Sequence, residues 1–101
     1  MFIPTEIHRQ AEKKLISSIT ISPNSMQEEL KIEFSANGIE YGIIRLTDGH
    51  GKIFRMMGIN LQQGVNLVTI ENLQSLPAGD YCLYVGDTDG NVLHAEKLLK
   101  A

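Results

Sequence analysis

The chain has 101 residues, 43% hydrophobic and 21% charged, with a formal net charge of −3 from 9 basic and 12 acidic side chains. That length holds one domain and excludes two, and the charge content is too low for a solvated disordered tail. With no basic stripe to track phosphates, nucleic acid is not an expected partner, and no apolar run approaches the roughly 20 residues of a membrane-spanning helix.

The start, Met1 to Glu6, has neither the charged n-region nor the apolar stretch of a signal peptide. The expectation is therefore a cytoplasmic protein or the detached end of a longer precursor. Over residues 1–16, Thr5 can cap a short helix, and Ala11 to Leu15 are good helix formers. Only Ile7, Ala11 and Leu15 share a face, so this segment reads as a linker or a loosely docked turn or two of helix.

From Ser17 the pattern is that of strands. Ile19 and Ile21 alternate with Ser18 and Thr20 until Pro23-Asn24-Ser25 ends the run. Leu30 to Phe34 alternates strictly, which turns Leu30, Ile32 and Phe34 inward. Asn37-Gly38 is a turn, and residues 39–47 form a third strand with Ile44 and Leu46 inward. Asp48 to Gly51 is a turn with two glycines, which readily supply positive φ. Lys52 to Met57 is a fourth strand with Phe54 and Met56 inward.

After Gln62-Gln63-Gly64, Asn66 to Ile70 is a fifth strand with Val68 and Ile70 inward. Leu73 to Asp80 is a corner, and Tyr81 to Val85 a sixth strand with Tyr81, Leu83 and Val85 on one face. Asp89-Gly90 is a hairpin turn, and Val92 to Lys100 is the seventh strand, of ambiguous phase. Seven short strands separated by turn signals predict an all-β fold. The specific expectation is an immunoglobulin-like antiparallel sandwich with Greek-key topology over residues 17–101.

The sequence predicts no catalytic or metal constellation and no cofactor. His8, His50 and His94 lie far apart and lack metal-ligand spacing. Asp87 to Asn91 offers oxygen ligands, but Glu96 comes too early to close a calcium loop, and Asp89-Gly90 is also a plain hairpin signal. Neighbouring Glu28 and Glu29 point to opposite faces if they lie on a strand. Cys82, the only cysteine, sits in the apolar run Tyr81 to Val85 and reads as a packed thiol. Tyr41 and Tyr84 fall outward by period and are candidate anchors for a partner.

Leu76-Pro77-Ala78-Gly79-Asp80-Tyr81 resembles the tyrosine corner of immunoglobulin-like sandwiches, in which a tyrosine hydroxyl returns to upstream backbone. Several further pieces occur in order. They are Ile21-Ser22-Pro23-Asn24-Ser25, Asp48 followed by Gly51-Lys52, Gly64-Val65-Asn66, Gly79 and Tyr81 of the corner, and Lys97-Leu98-Leu99-Lys100. Together, over about residues 19 to 100, they resemble the C-terminal sorting domain of the type IX secretion system of Bacteroidetes. Ser25 stands where that family usually has a second proline. The module of flagellar hook-capping proteins is similar.

The resemblance implies an address and not a reaction. It implies an N-terminal passenger in a longer precursor, recognised by an outer-membrane translocon after reaching the periplasm. A sortase-like peptidase then cuts within the linker of residues 1–16, and the passenger is fixed at the cell surface or released. The same resemblance gives Pro23, Asn24, Asp48, Gly51, Lys52, Gly79, Tyr81, Lys97 and Lys100 as motif residues. The final strand is the expected recognition edge, to which Lys97 and Lys100 would add charge. An immunoglobulin-like structural or adhesion module is the alternative reading.

Overall fold

The computed structural model describes residues 15–23 and 25–101. Most of the expected helical or linker segment, and Asn24, lie outside them. The described residues contain no helix. They form β1 (Ile16–Ser22), β2 (Ser25–Met26), β3 (Leu30–Ala36), β4 (Tyr41–Asp48), β5 (Ile53–Asn60), β6 (Gly64–Ile70), β7 (Gly79–Gly86) and β8 (Val92–Lys100). Seven of these are the expected strands, with ends shifted by a few residues. The two-residue β2 was not expected, and β1 starts at Ile16, one residue ahead of the expected boundary.

The strands make two sheets, one ordered β1-β3-β6 and the other β2-β8-β7-β4-β5. All pairings are antiparallel except the short contact of β2 with β8. One hydrophobic cluster draws on both sheets. Leu30, Ile32, Phe34 and Ile70 come from the first sheet and Ile44, Leu46, Leu83 and Val85 from the second, all buried. These are the positions that alternation turned inward; Val68 is partly buried against them. Ile39, Leu61, Leu73 and Leu76 close the cluster from connecting segments.

β1, β5 and β8 each depart from simple alternation at a bulge, that of β1 lying between Ser17 and Thr20. In β5, Leu46 faces Arg55 while Thr47 faces Ile53, so Phe54 has no partner. The extra residue shifts the phase downstream. Met57, opposite Ile44, packs on the core, and Met56, expected inward, is 60% exposed. In β8 the register slips between Val85 and Gly86 of its partner strand. Beyond that slip His94, Glu96 and Leu98 stand opposite Val85, Leu83 and Tyr81, on the inner side. Lys100 is only 7% exposed.

The β5 phase is testable by paired truncations. Met57→Ala is expected to destabilise by about 1–2 kcal/mol, short of the full cost for a wholly buried methionine. Met56→Ala is expected to stay within about 0.5 kcal/mol of the parent. Equal shifts in the urea midpoint for the two variants contradict the bulge.

Candidate functional site

The motif residues singled out in the sequence are scattered from position 23 to position 100, and strand pairing brings most of them to one end of the molecule. In one row Asp48, Tyr81 and Leu98 stand side by side on β4, β7 and β8. In the next, Thr47, Cys82 and Lys97 do so. Gly79 pairs with Lys100, which also pairs with Met26. Pro23 is exposed two residues ahead of Ser25, the partner of Leu99. Asn24 is outside the described residues.

Tyr81 is the centre of this end. Its ring is buried, and its hydroxyl donates to the Pro77 carbonyl at 2.6 Å. This is the upstream bond that the corner motif anticipates. The Phe54 ring, released by its bulge, meets Tyr81 edge-on with centroids 5.6 Å apart. The Lys52 ammonium lies over the Phe54 ring, 5.1 Å from its centroid. Burial, aided by the nearby Asp48 charge, pushes the Tyr81 hydroxyl above its ordinary pKa. It therefore remains a donor at any ordinary pH. An open depression of about 280 Å³ lies over this cluster, lined by Asp48, His50, Phe54, Pro77, Asp80 and Tyr81.

Asp48 does structural chemistry. Its Oδ1 accepts the N–H groups of His50 (2.8 Å) and Lys52 (2.9 Å). Its own N–H donates to the Lys52 carbonyl at 3.0 Å, and Gly51 N–H donates to the Asp48 carbonyl at 3.1 Å. Gly51, with φ 88, makes the left-handed step that closes the loop. The Lys52 N–H bond is the main cause that holds the Asp48 carboxyl below its usual range.

The same device recurs between β7 and β8, where the expected turn at Asp89-Gly90 is present. Asp87 is its anchor. Its Oδ1 accepts Asp89 N–H at 2.9 Å and Asn91 N–H at 2.8 Å, and its N–H donates to the Asn91 carbonyl at 3.0 Å. Asn91 Nδ2 donates to Asp87 Oδ2 at 2.8 Å, and Gly90 takes φ 92. The Asn91 side chain is the first cause of the lowered Asp87 pKa. Both carboxylate oxygens of Asp87 thus already hold protein donors, which fits a turn better than a calcium loop. The signal that could have found it is the shared spacing Asp-x-x-Gly at Asp48–Gly51 and Asp87–Gly90.

Three other residues that the sequence reading passed over also hold loops. Gln63 accepts from Gly38 N–H at 2.7 Å and donates to the Ile39 carbonyl at 3.0 Å. Asn66 bridges to Gln62 in both directions at 2.9 Å. Arg55 donates to the Phe54 and Asn72 carbonyls at 2.8 Å. Glu28 and Glu29 lie in the bend before β3 and not on a strand; Glu29 pairs with Lys31 at 3.8 Å.

The two lysines of the last strand differ. Lys97 is exposed opposite Cys82, whereas Lys100 is buried and donates to the Ala101 carbonyl at 3.4 Å. Lys100 thus does not present its charge as Lys97 does. On the outer face of the same sheet, Tyr41 lies over Gly58, where a Cβ would collide with its ring. The Arg45 guanidinium lies 5.0 Å from the Tyr84 ring centroid. His50 is on the Asp48 turn, and His94 Nε2 meets Glu96 Oε1 at 3.0 Å. Among the described residues no three His, Cys, Asp or Glu side chains are grouped to hold a metal, and no helix is long and apolar enough to cross a membrane.

No protein-family model matches the chain, and no curated protein matches it in sequence.

Tyr81→Phe removes the donor and leaves the Pro77 carbonyl unsatisfied, which is expected to cost about 1–2 kcal/mol in urea unfolding. An unchanged midpoint contradicts the corner bond. The two aspartate turns set an acid limit. Because both carboxyls titrate lower in the folded chain, their contribution is complete above about pH 4 and is lost as pH falls through their folded values. Thermal unfolding is expected to weaken below about pH 4, and the Asp48→Asn/Asp87→Asn double variant should show a flatter acid limb. Superimposable acid limbs count against the two anchors.

Proposed function

We infer that this chain is a sorting module, an immunoglobulin-like Greek-key sandwich of the type IX C-terminal class, read as an address by an outer-membrane translocon. The single observation that carries this reading is the convergence described above. Of the residues that match the class in order along the chain, Pro23, the Asp48–Lys52 turn, the Gly79–Tyr81 corner and Lys97–Lys100 meet at one end of the molecule, around the last strand, whereas Gly64-Val65-Asn66 pairs with Ala36 to Phe34 at the other. Random matches to short motifs would have no reason to share a place. The strand order supports the topology: β4-β5 and β7-β8 are hairpins within one sheet, and every other connection crosses between sheets.

On this reading the partner contact is the outer side of β8. Lys97 and the 52%-exposed Leu99 face outward there. The neighbouring β2 covers only the end of the strand, at Leu99 and Lys100, which leaves backbone groups of Val92 to Leu98 without a second strand among the described residues. The role is non-catalytic: the passenger lies ahead of residue 1, a sortase-like peptidase cuts within residues 1–16, and the product is held at the surface or released.

A reporter carrying an export signal and ending in this chain is expected to be secreted by a type IX-competent host. Removing Lys97 to Ala101 would also delete buried Leu98, so the sharper variant is Lys97→Glu with Leu99→Glu. It is expected to lower secretion about tenfold, the effect of losing roughly 1.4 kcal/mol of recognition, at an unchanged melting temperature. Undiminished secretion overturns the β8 contact. A reporter that the parent chain leaves in the periplasm overturns the sorting role.

The second reading is an immunoglobulin-like structural or adhesion module, hook-capping-like included. The outward Tyr41 and the Arg45–Tyr84 pair favour it, because aromatic and arginine side chains on a sheet face suit a protein or glycan partner. It predicts a reporter that is not exported and a partner whose binding Tyr84→Ala removes.

A further inference from the structure

Asparagine is chemically unstable where glycine follows it. The backbone nitrogen of the next residue can attack the asparagine side-chain carbonyl, and glycine, without a Cβ, leaves that nitrogen unshielded. Asn37-Gly38 is the one such pair in the sequence; every other asparagine precedes serine, leucine or valine. Both residues are exposed, in the connection from β3 to β4. The sequence therefore marks Asn37 as the asparagine of this chain that converts soonest to an acid.

The fold places a brake on that reaction. The Gly38 N–H donates to Gln63 Oε1 at 2.7 Å, and Gln63 Nε2 donates to the Ile39 carbonyl at 3.0 Å. The two bonds fix which way the Gln63 amide points, because an N–H only donates and a carbonyl only accepts. The segment that carries Gln63 is itself held. Leu61 N–H donates to the Glu40 carbonyl at 2.9 Å, and Asn66 bridges to Gln62 in both directions. On the other side, Asn37 N–H donates to the Leu15 carbonyl at 2.9 Å. To attack, the Gly38 nitrogen must lose its proton and turn toward the Asn37 side chain. While its N–H is engaged by Gln63 it does neither.

We propose that Asn37 is a site of spontaneous deamidation and that Gln63 sets its rate by guarding the Gly38 nitrogen. Hydroxide removes the Gly38 amide proton, the nitrogen forms a bond to Asn37 Cγ, and the bond from Cγ to Nδ2 breaks. The departing nitrogen takes a proton from water and leaves as ammonia, which returns the hydroxide. Water then opens the cyclic imide at one carbonyl or the other, giving aspartate or isoaspartate. Either product adds one negative charge to the net −3. Isoaspartate also inserts a carbon into the main chain between the two N–H groups that reach Leu15 and Gln63. Both bonds cannot then keep their geometry, so the tie between the start of β1 and the β3–β4 connection is weakened.

Trypsin releases Ile32–Arg45, in which Asn37 is the only asparagine, so mass spectrometry of that peptide counts the conversion. The folded full chain, kept in warm, mildly alkaline buffer, is expected to convert at least about tenfold more slowly than the synthetic peptide Ile32–Arg45. Gln63→Ala is expected to convert about tenfold faster than the parent. Tyr81→Phe, which weakens the fold at the opposite end, should convert as the parent does. Hydrogen exchange of the Gly38 amide reads the same guard without any variant and decides the matter even where Gln63→Ala does not fold. It is expected to be at least about tenfold slower in the parent than in the peptide. The proposal is overturned by a parent that converts as fast as the peptide, or by Gln63→Ala converting at the parent's rate. Equal acceleration by Tyr81→Phe and Gln63→Ala overturns it too, as does Gly38 exchange at the peptide's rate. None of these outcomes depends on whether the chain is a sorting module.

Discussion

Tyr81 has to bury an aromatic ring and a hydroxyl at once. The ring gains by leaving water, while the hydroxyl loses unless an acceptor waits inside. Pro77, four residues upstream, supplies that acceptor. The bond pins the corner to the first inward position of β7, the strand that lies between β4 and β8. From that point Leu83 and Val85 follow into the core by period alone, and the registers with Asp48 on one side and Leu98 on the other are set. The cluster at this end, from the Phe54 ring to the 77–81 corner, is arranged around one phenol.

The two aspartate turns complement this anchor. Each ties a five-residue loop by directing two backbone N–H groups at one carboxylate oxygen, with glycine at the left-handed step. One closes β4 onto β5 and the other closes β7 onto β8, so both hairpins of the five-stranded sheet are held by the same local chemistry. A carboxylate held in this way is a weaker base than a free one. Asp48 and Asp87 thus serve the fold.

The two sheets are not equivalent. The five-stranded sheet carries Lys97, Leu99, Arg45, Tyr84 and Tyr41 in positions a partner can reach, and the sorting reading uses its β8 side. The three-stranded sheet ends, among the described residues, in β6, which is uncharged and unbroken.

Sequence alone determined the strands, because alternation is a local property of a pleated chain with one side in the core. Leu30, Ile32, Phe34, Tyr81, Leu83 and Val85 needed no neighbours to declare their side. The Gly51 and Gly90 turns were equally legible, since few residues adopt their φ. Tertiary structure alone decided the phase of β5 and β8, because a bulge depends on the partner strand and shifts every residue beyond it, as with Met56 and Met57. It also decided that Lys100 is buried while Lys97 is not, and that Asp87 ties the turn between β7 and β8. Each of these turns on what lies across a sheet or between sheets, and residues distant along the chain meet only when both layers close.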